Sequence, residues 1–168
     1  MNQVILGIGG NLGKRELFLA HTRSHVAERI GHIVASSIIY ETDAWGMDNA
    51  PAFLNQVIMV ETDQSPEDIL RRIREIERML GRKRIEGKTG YSSRTADIDI
   101  LFYNDEVIHT PHLEVPHPGI ADRRFVLIPL NEITSDFEHP LLKRPMNAIL
   151  AACTDTTEVR PWTSRTAT

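Results

Sequence analysis

Residues 53–62, Phe-Leu-Asn-Gln-Val-Ile-Met-Val-Glu-Thr, read as a strand, and Ser65-Pro66-Glu67-Asp68 follows as the start of a helix. Ser65 is the capping residue, Pro66 fits the first helical position, and Glu67 and Asp68 lie where the helix dipole favours negative charge. Ile69, Ile73, Ile76 and Leu80 then form one apolar stripe, which predicts a helix ending near Gly81. Upstream, Ile33 to Thr42 is a second strand candidate, and the loop between the two strands carries Asp43, Gly46, Asn49 and Pro51, so the pair predicts a hairpin. Further upstream, Gln3 to Ile8 predicts a strand. Gly9-Gly10-Asn11 turns the chain into a helix from about Lys14 to Ile30, stopped by Gly31. Downstream, Arg82 to Ser93 has glycine, serine and charge without apolar periodicity and reads as a long, mobile loop. Ala96 to Tyr103 returns to a strand pattern, Phe125 to Leu130 predicts another strand, and Pro145 to Ala152 a short terminal helix. The tail after Cys153 is polar and predicted to be irregular. The order β-α-β-β-α-β is that of a ferredoxin-like sandwich, an α+β fold with a mainly antiparallel sheet and helices over one of its faces.

The 168 residues suit one domain spanning 1–168, and the chain contains neither an internal repeat nor a linker. Hydrophobic residues at 41% and charged residues at 25% are ordinary for a folded chain. A net charge of -4 offers no general attraction to nucleic acid or anionic membrane, so a polyanionic ligand requires a local basic cluster, and one lies between Arg82 and Arg94. The single cysteine, Cys153, excludes an internal disulfide and a thiolate-rich zinc site. The apolar run Val4 to Ile8 is too short for a signal-peptide core, and no segment reaches the roughly 20 apolar residues of a membrane span. A cytoplasmic protein is expected.

The chemistry concentrates in Arg94-Thr95-Ala96-Asp97-Ile98-Asp99-Ile100-Leu101. Strand alternation puts Asp97 and Asp99 on one side and Ile98 and Ile100 on the other. Two adjacent carboxylates repel unless protonated or bridged by a cation, and hard oxygen ligands suit magnesium held jointly with substrate phosphates. The same alternation also suits an edge strand with a solvated acidic face. The preceding cationic stretch favours the first reading, because Arg82, Arg84, Lys88 and Arg94 can all meet phosphate oxygens. Gly7 to Lys14 lacks the glycine and hydroxyl positions of a phosphate-binding loop and reads as a tight strand-to-helix turn. His109, His112 and His117 lack zinc-motif spacing.

Taken in order, Gly81-Arg-Lys-Arg84, Arg94 to Leu101, Val115-Pro-His-Pro118 and Arg123-Arg-Phe-Val-Leu-Ile-Pro-Leu-Asn-Glu-Ile133 resemble the 6-hydroxymethyl-7,8-dihydropterin pyrophosphokinases of folate biosynthesis. The resemblance extends to Gly7–Leu12 and Tyr40–Asn55. It implies transfer of a diphosphate from ATP to the pterin hydroxymethyl group with release of AMP. It also implies Asp97 and Asp99 as ligands of two magnesium ions, and Arg82 and Arg94 as catalytic arginines. Glu77, Arg84, Ile100, His112, His117 and Arg123 match ATP-site positions, with His112 standing where familiar members have arginine. Thr42, Trp45, Phe53, Asn55 and Phe125 match the pterin pocket. A flat heterocycle needs aromatic faces and an amide at its edge, which Phe53, Phe125 and Asn55 can supply.

The sequence departs from the family before the paired aspartates, where familiar members carry Arg-Trp-Gly-Pro-Arg and this chain has Gly90-Tyr91-Ser92-Ser93-Arg94. Lys88 and Tyr91 are expected to contact ATP from a loop that orders only when both substrates are present. ATP and the pterin are the expected partners, with no nucleic acid, membrane or obligate protein partner. A nucleotidyltransferase or ordinary kinase with the same aspartates would release diphosphate or ADP instead. A ferredoxin-like RNA-binding module would need a basic and aromatic sheet segment that this sequence lacks.

Overall fold

The computed structural model describes residues 1–43, 51–81 and 96–163. Its main sheet contains β1 (Asn2–Gly10), β2 (His32–Ser36), β3 (Tyr40–Thr42), β4 (Phe53–Thr62), β5 (Asp97–Tyr103) and β8 (Arg160–Pro161). The order is β5-β1-β4-β3-β8, with β2 also paired to β4, and every pairing among the described residues is antiparallel. β6 (Ile108–His109) and β7 (Glu114–Val115) form a separate small ribbon. The helices are α1 (Arg15–Arg29), α2 (Pro66–Met79), α3 (Arg124–Thr134) and α4 (Met146–Ala152). The α+β class and the β-α-β-β-α-β core follow the sequence pattern.

The two faces of the sheet have separate cores. On one, Val4, Leu6, Ile8, Leu54, Ile58, Val60, Ile98 and Ile100 pack against Leu19 and Val26 of α1 and Ile69, Ile73 and Ile76 of α2. Ser65 caps α2 as expected, its hydroxyl accepting from the Asp68 amide at 3.2 Å. On the other, Ile5, Val57, Leu101 and Phe102 meet Leu127 and Leu130 of α3 and Met146 and Ile149 of α4. Helices therefore cover both faces, where one was expected. Burial of apolar area on two sides, worth roughly 25 cal/mol per Å² removed from water, is what holds the sheet between its helices.

Four local expectations change. Residues 125–130 lie in a helix: Val126, Leu127, Leu130 and Ile133 fall at helical spacing, and packing on the second sheet face overrides the strand preference of Phe-Val-Leu-Ile. Pro129 sits within that helix. The segment 33–42 is two strands, because after Ser36 the Ser37 hydroxyl accepts from the Val57 amide at 3.0 Å and interrupts the ladder. β1 continues through Gly10, so Gly9 and Gly10 are strand residues and the turn falls on 11–14. The tail contributes β8, paired to β3 at Tyr40↔Pro161 and Glu41↔Arg160.

Candidate active site

The second sheet face is not fully covered by α3 and α4. At its open end a cleft is lined by Gly7, Gly9, Phe53, Asn55, Val57, Asp97, Asp99, Leu101, Phe125 and Val126, among others. Register explains the grouping. Gly9 of the central strand pairs with Asn55 on one side and Asp97 on the other, and Gly7 with Val57 and Asp99. Along β1 the side chains facing this side are Ile5, Gly7 and Gly9, so the apolar floor gives way to a trough without side chains. Asp97 and Asp99 form one bank of it. Phe53, Asn55 and Val57 form the other, and Phe125 with Val126 closes the end from the first turn of α3.

The paired aspartates share a face, as alternation predicted, while Ile98 and Ile100 are buried against the helices of the other. The register shift between Ile5 and Leu6 leaves Leu101 as the extra residue of a bulge, and Leu101 and Phe102 consequently both belong to the second core. The Ile98 amide points away from β1 and donates to Glu77 Oε2 of α2 at 3.1 Å. Glu77, a buried carboxylate, thus ties the strand bearing the aspartates to the helix behind it.

On the opposite bank, Asn55 Nδ2 donates to the Thr42 hydroxyl at 2.9 Å, joining β4 to the buried end of β3. A Cβ on Gly9 would lie 2.6 Å from the Leu54 carbonyl oxygen and 3.0 Å from Asn55 Oδ1. The amide of Asn55 therefore rests directly over a position that only glycine can occupy. A Cβ on Gly7 would meet Leu101 at an ordinary 3.6 Å.

His117 lies beyond the aspartates, its amide donating to the Leu101 carbonyl at 3.0 Å. Burial and the nearby Arg123 guanidinium lower its pKa from the ordinary imidazole value against the opposing pull of Asp97 and Glu114. The neutral ring accepts from the Gly119 amide through Nδ1 at 3.1 Å, which assigns its proton to Nε2. Arg123 packs across Gly119, where an added Cβ would stand 2.7 Å from Nε. His112 is exposed in the β6–β7 turn. Trp45, Arg82, Arg84, Lys88, Tyr91 and Arg94 lie outside the described residues.

The structure thus brings together Asp97, Asp99, Phe53, Asn55 and Phe125, with Thr42, His117 and Arg123 nearby, and turns the Ile100 side chain to the other face. Sequence reasoning missed Gly7, Gly9, Val57, Leu101 and Val126. The two glycines were legible in principle, since they alternate in phase with Ile5. Ending the strand at Ile8 removed that signal. Among the described residues there is no group of three or more metal-ligating side chains. Two carboxylates are nevertheless a suitable donor set for magnesium, which usually keeps several waters and shares its shell with substrate phosphates.

Residues 5–135 match the family described as 7,8-dihydro-6-hydroxymethylpterin-pyrophosphokinase, HPPK. The chain belongs to this family. The 2-amino-4-hydroxy-6-hydroxymethyldihydropteridine pyrophosphokinase of Aquifex aeolicus is 38% identical over 146 residues, covering 87% of this chain and 89% of that protein. Its counterpart in Bacillus subtilis is 36% identical over 165 residues, 96% of this chain and 90% of that one. A Plasmodium falciparum HPPK-DHPS crystal structure with pteroate superposes with a TM-score of 0.72 at 17% identity, which is a likeness of fold. The match covers 89% of this chain and 42% of the Plasmodium chain. No described helix is long and apolar enough to cross a membrane.

Proposed function

We propose that the glycine-floored cleft is where this HPPK-family enzyme transfers a diphosphate from ATP to hydroxymethyldihydropterin, with AMP as the other product. The single observation that carries the placement is the trough at Gly7 and Gly9, with Asp97 and Asp99 on one bank and Phe53, Asn55 and Phe125 on the other. One bank suits phosphate-bound cations and the other a flat, polar-edged heterocycle.

The pterin lies between Phe53 and Phe125, with its edge on Asn55. An amide offers both a donor and an acceptor there, and Thr42 holds it in place. Trp45 is assigned to the same pocket on family resemblance. On this reading the hydroxymethyl oxygen would lie beside the aspartates, lose its proton and attack the β-phosphorus, while the bond from that phosphorus to the oxygen bridging it to the α-phosphate breaks and that oxygen leaves with AMP. Asp97 and Asp99 would hold two magnesium ions, which neutralise phosphate charge when bound. His117 donates from Nε2 and Arg123 supplies positive charge at the triphosphate. Glu77 and His112 are kept on the ATP side, and Ile100 would meet the nucleotide through the outward-facing backbone of its edge strand. Arg82, Arg84, Lys88, Tyr91 and Arg94 are assigned there from the sequence, with Arg82 and Arg94 acting on the transferring group. The protein's contribution is positioning and charge, without a covalent intermediate. A cytoplasmic location, and action without nucleic acid or an obligate protein partner, complete the reading.

The test is to incubate the protein with ATP, magnesium and hydroxymethyldihydropterin and to identify the nucleotide product. AMP with pterin diphosphate is expected. ADP or free diphosphate would assign a different phosphoryl or nucleotidyl transfer.

A further inference from the structure

The tail beyond the family match returns to the sheet beside the cleft and holds it from behind. β8 pairs with β3, and the Trp162 amide donates to the Ile39 carbonyl at 2.8 Å. From β8, Arg160 reaches the Glu41 carboxylate and the Asp43 carboxylate, each at 3.1 Å. From α1, Arg15 donates to the other oxygen of Glu41 at 2.8 Å and to the Ala52 carbonyl at 2.8 Å. The Trp162 ring covers this arginine, with the guanidinium carbon 4.9 Å from its centroid. Glu41, largely shielded, thus accepts from two arginines that come from distant parts of the chain. Burial raises its pKa, but the hydrogen bonds from Arg15 and Arg160 outweigh this and leave it below the ordinary glutamate value.

β3 is three residues long, and its alternation decides what the clamp does. Tyr40 and Thr42 face the α3 side, where Tyr40 donates to Glu132 and Thr42 meets Asn55. Glu41 faces the opposite side. Asp43 is the residue after β3 and Ala52 the residue before β4, so the two arginines grip both strand ends that carry Thr42 and Phe53. A strand this short has few ladder bonds of its own to resist a shift.

We infer that Arg160 and Trp162, with Arg15 and Glu41, are positioning residues for the pterin side of the cleft: they clamp the end of β3 from behind and hold Thr42 against Asn55. This rests on the proposed placement of the pterin. The tail is then a working part of substrate binding, acting through β3 without touching the substrate.

The test measures pterin binding by calorimetry in the presence of magnesium and a non-hydrolysable ATP analogue, using Arg160→Ala, Arg160→Lys and a chain ending at Thr157. Arg160→Ala should weaken pterin binding about tenfold, in keeping with the sensitivity of bound geometry to remote displacements, and leave binding of the ATP analogue within about twofold. Arg160→Lys should recover part of the loss, because both bonds come from the single nitrogen Nη2 and an ammonium on a shorter, more flexible stem supplies the charge without fixing its position. The shortened chain should behave as Arg160→Ala or worse. Unchanged pterin affinity in Arg160→Ala would overturn the clamp, and so would an equal loss of pterin and nucleotide affinity, which marks general destabilisation. Asn55→Ala separates the two levels of the reading. If it fails to weaken pterin binding, the cleft assignment falls and the clamp with it; if it weakens binding while Arg160→Ala does not, only the clamp falls.

Discussion

At the scale of single residues, Gly9 and Gly7 make opposite predictions although they occupy the same face of one strand. Gly9→Ala should cost about 1–3 kcal/mol, the usual range for forcing extra atoms into a packed site, because its Cβ has no room against the Leu54 carbonyl or Asn55. Gly7→Ala meets only ordinary contact with Leu101, so it should fold nearly as well as the wild type and weaken pterin binding by shallowing the trough. Thermal denaturation alongside calorimetric titration distinguishes the two, and equal melting temperatures for both variants would contradict the geometry. On the acidic bank, the proposed magnesium role requires that Asp97→Asn and Asp99→Asn each lower turnover by about 100-fold or more without unfolding the chain, since each would remove a charge from the cation's ligand set. Near-wild-type turnover of either variant at low magnesium would remove that residue from the site. The pair was legible in the sequence because a period of two admits no other arrangement. Phe125 was legible as a pocket residue by resemblance, but its element was not.

That difference belongs to the scale of elements. Residues 124–134 carry a strand-like composition and a proline, and they form a helix because the second sheet face offers Val57, Leu101 and Phe102 for Leu127 and Leu130 to bury against. The helix is held by neighbours distant in sequence: Glu132 accepts from the Ile38 amide and the Tyr40 hydroxyl, and Asn131 donates to the Met146 carbonyl. Its first amide, that of Arg124, donates to the Asp155 carboxylate at 2.9 Å. Burial alone would raise the Asp155 pKa, but the Thr157 hydroxyl and the Arg124 and Thr157 amides hold it below the ordinary aspartate value. A carboxylate with a depressed folded pKa contributes stability that is present above its unfolded pKa and is lost as pH falls through the folded one. Asp155→Asn should therefore lower the melting temperature at neutral pH, and the gap to the wild type should close only at acidic pH below the ordinary aspartate value. A gap independent of pH across that window would show that the charge is not what matters.

At the scale of the whole molecule, the proposed reading would make the two substrates and the cation one assembly, to which the described residues would offer Asp97 and Asp99 as cation ligands. Magnesium alone should raise the melting temperature little, and an ATP analogue with magnesium considerably more than the sum of the two separately, because linkage rewards only what binds the folded state tightly. EDTA should abolish turnover. Differential scanning fluorimetry with each component alone and in combination checks the first point, and a large shift with magnesium alone would indicate a preformed cation site of more ligands than Asp97 and Asp99.

By itself the sequence determined the α+β class, the β-α-β-β-α-β core, the shared face of Asp97 and Asp99, the cap of α2 and the resemblance to a pyrophosphokinase family. These are local matters, set by strand alternation, helical spacing and residues adjacent in the chain. Only the tertiary structure decided that residues 124–134 are helical, that both faces of the sheet are covered, that two in-phase glycines floor the cleft, and that the tail grips Glu41 from residue 160. Each depends on partners far apart in sequence that neither segment specifies by itself: a hydrophobic run takes its secondary structure from the surface it buries against, and an arginine and a glutamate declare themselves partners only once the sheet has brought their strands side by side.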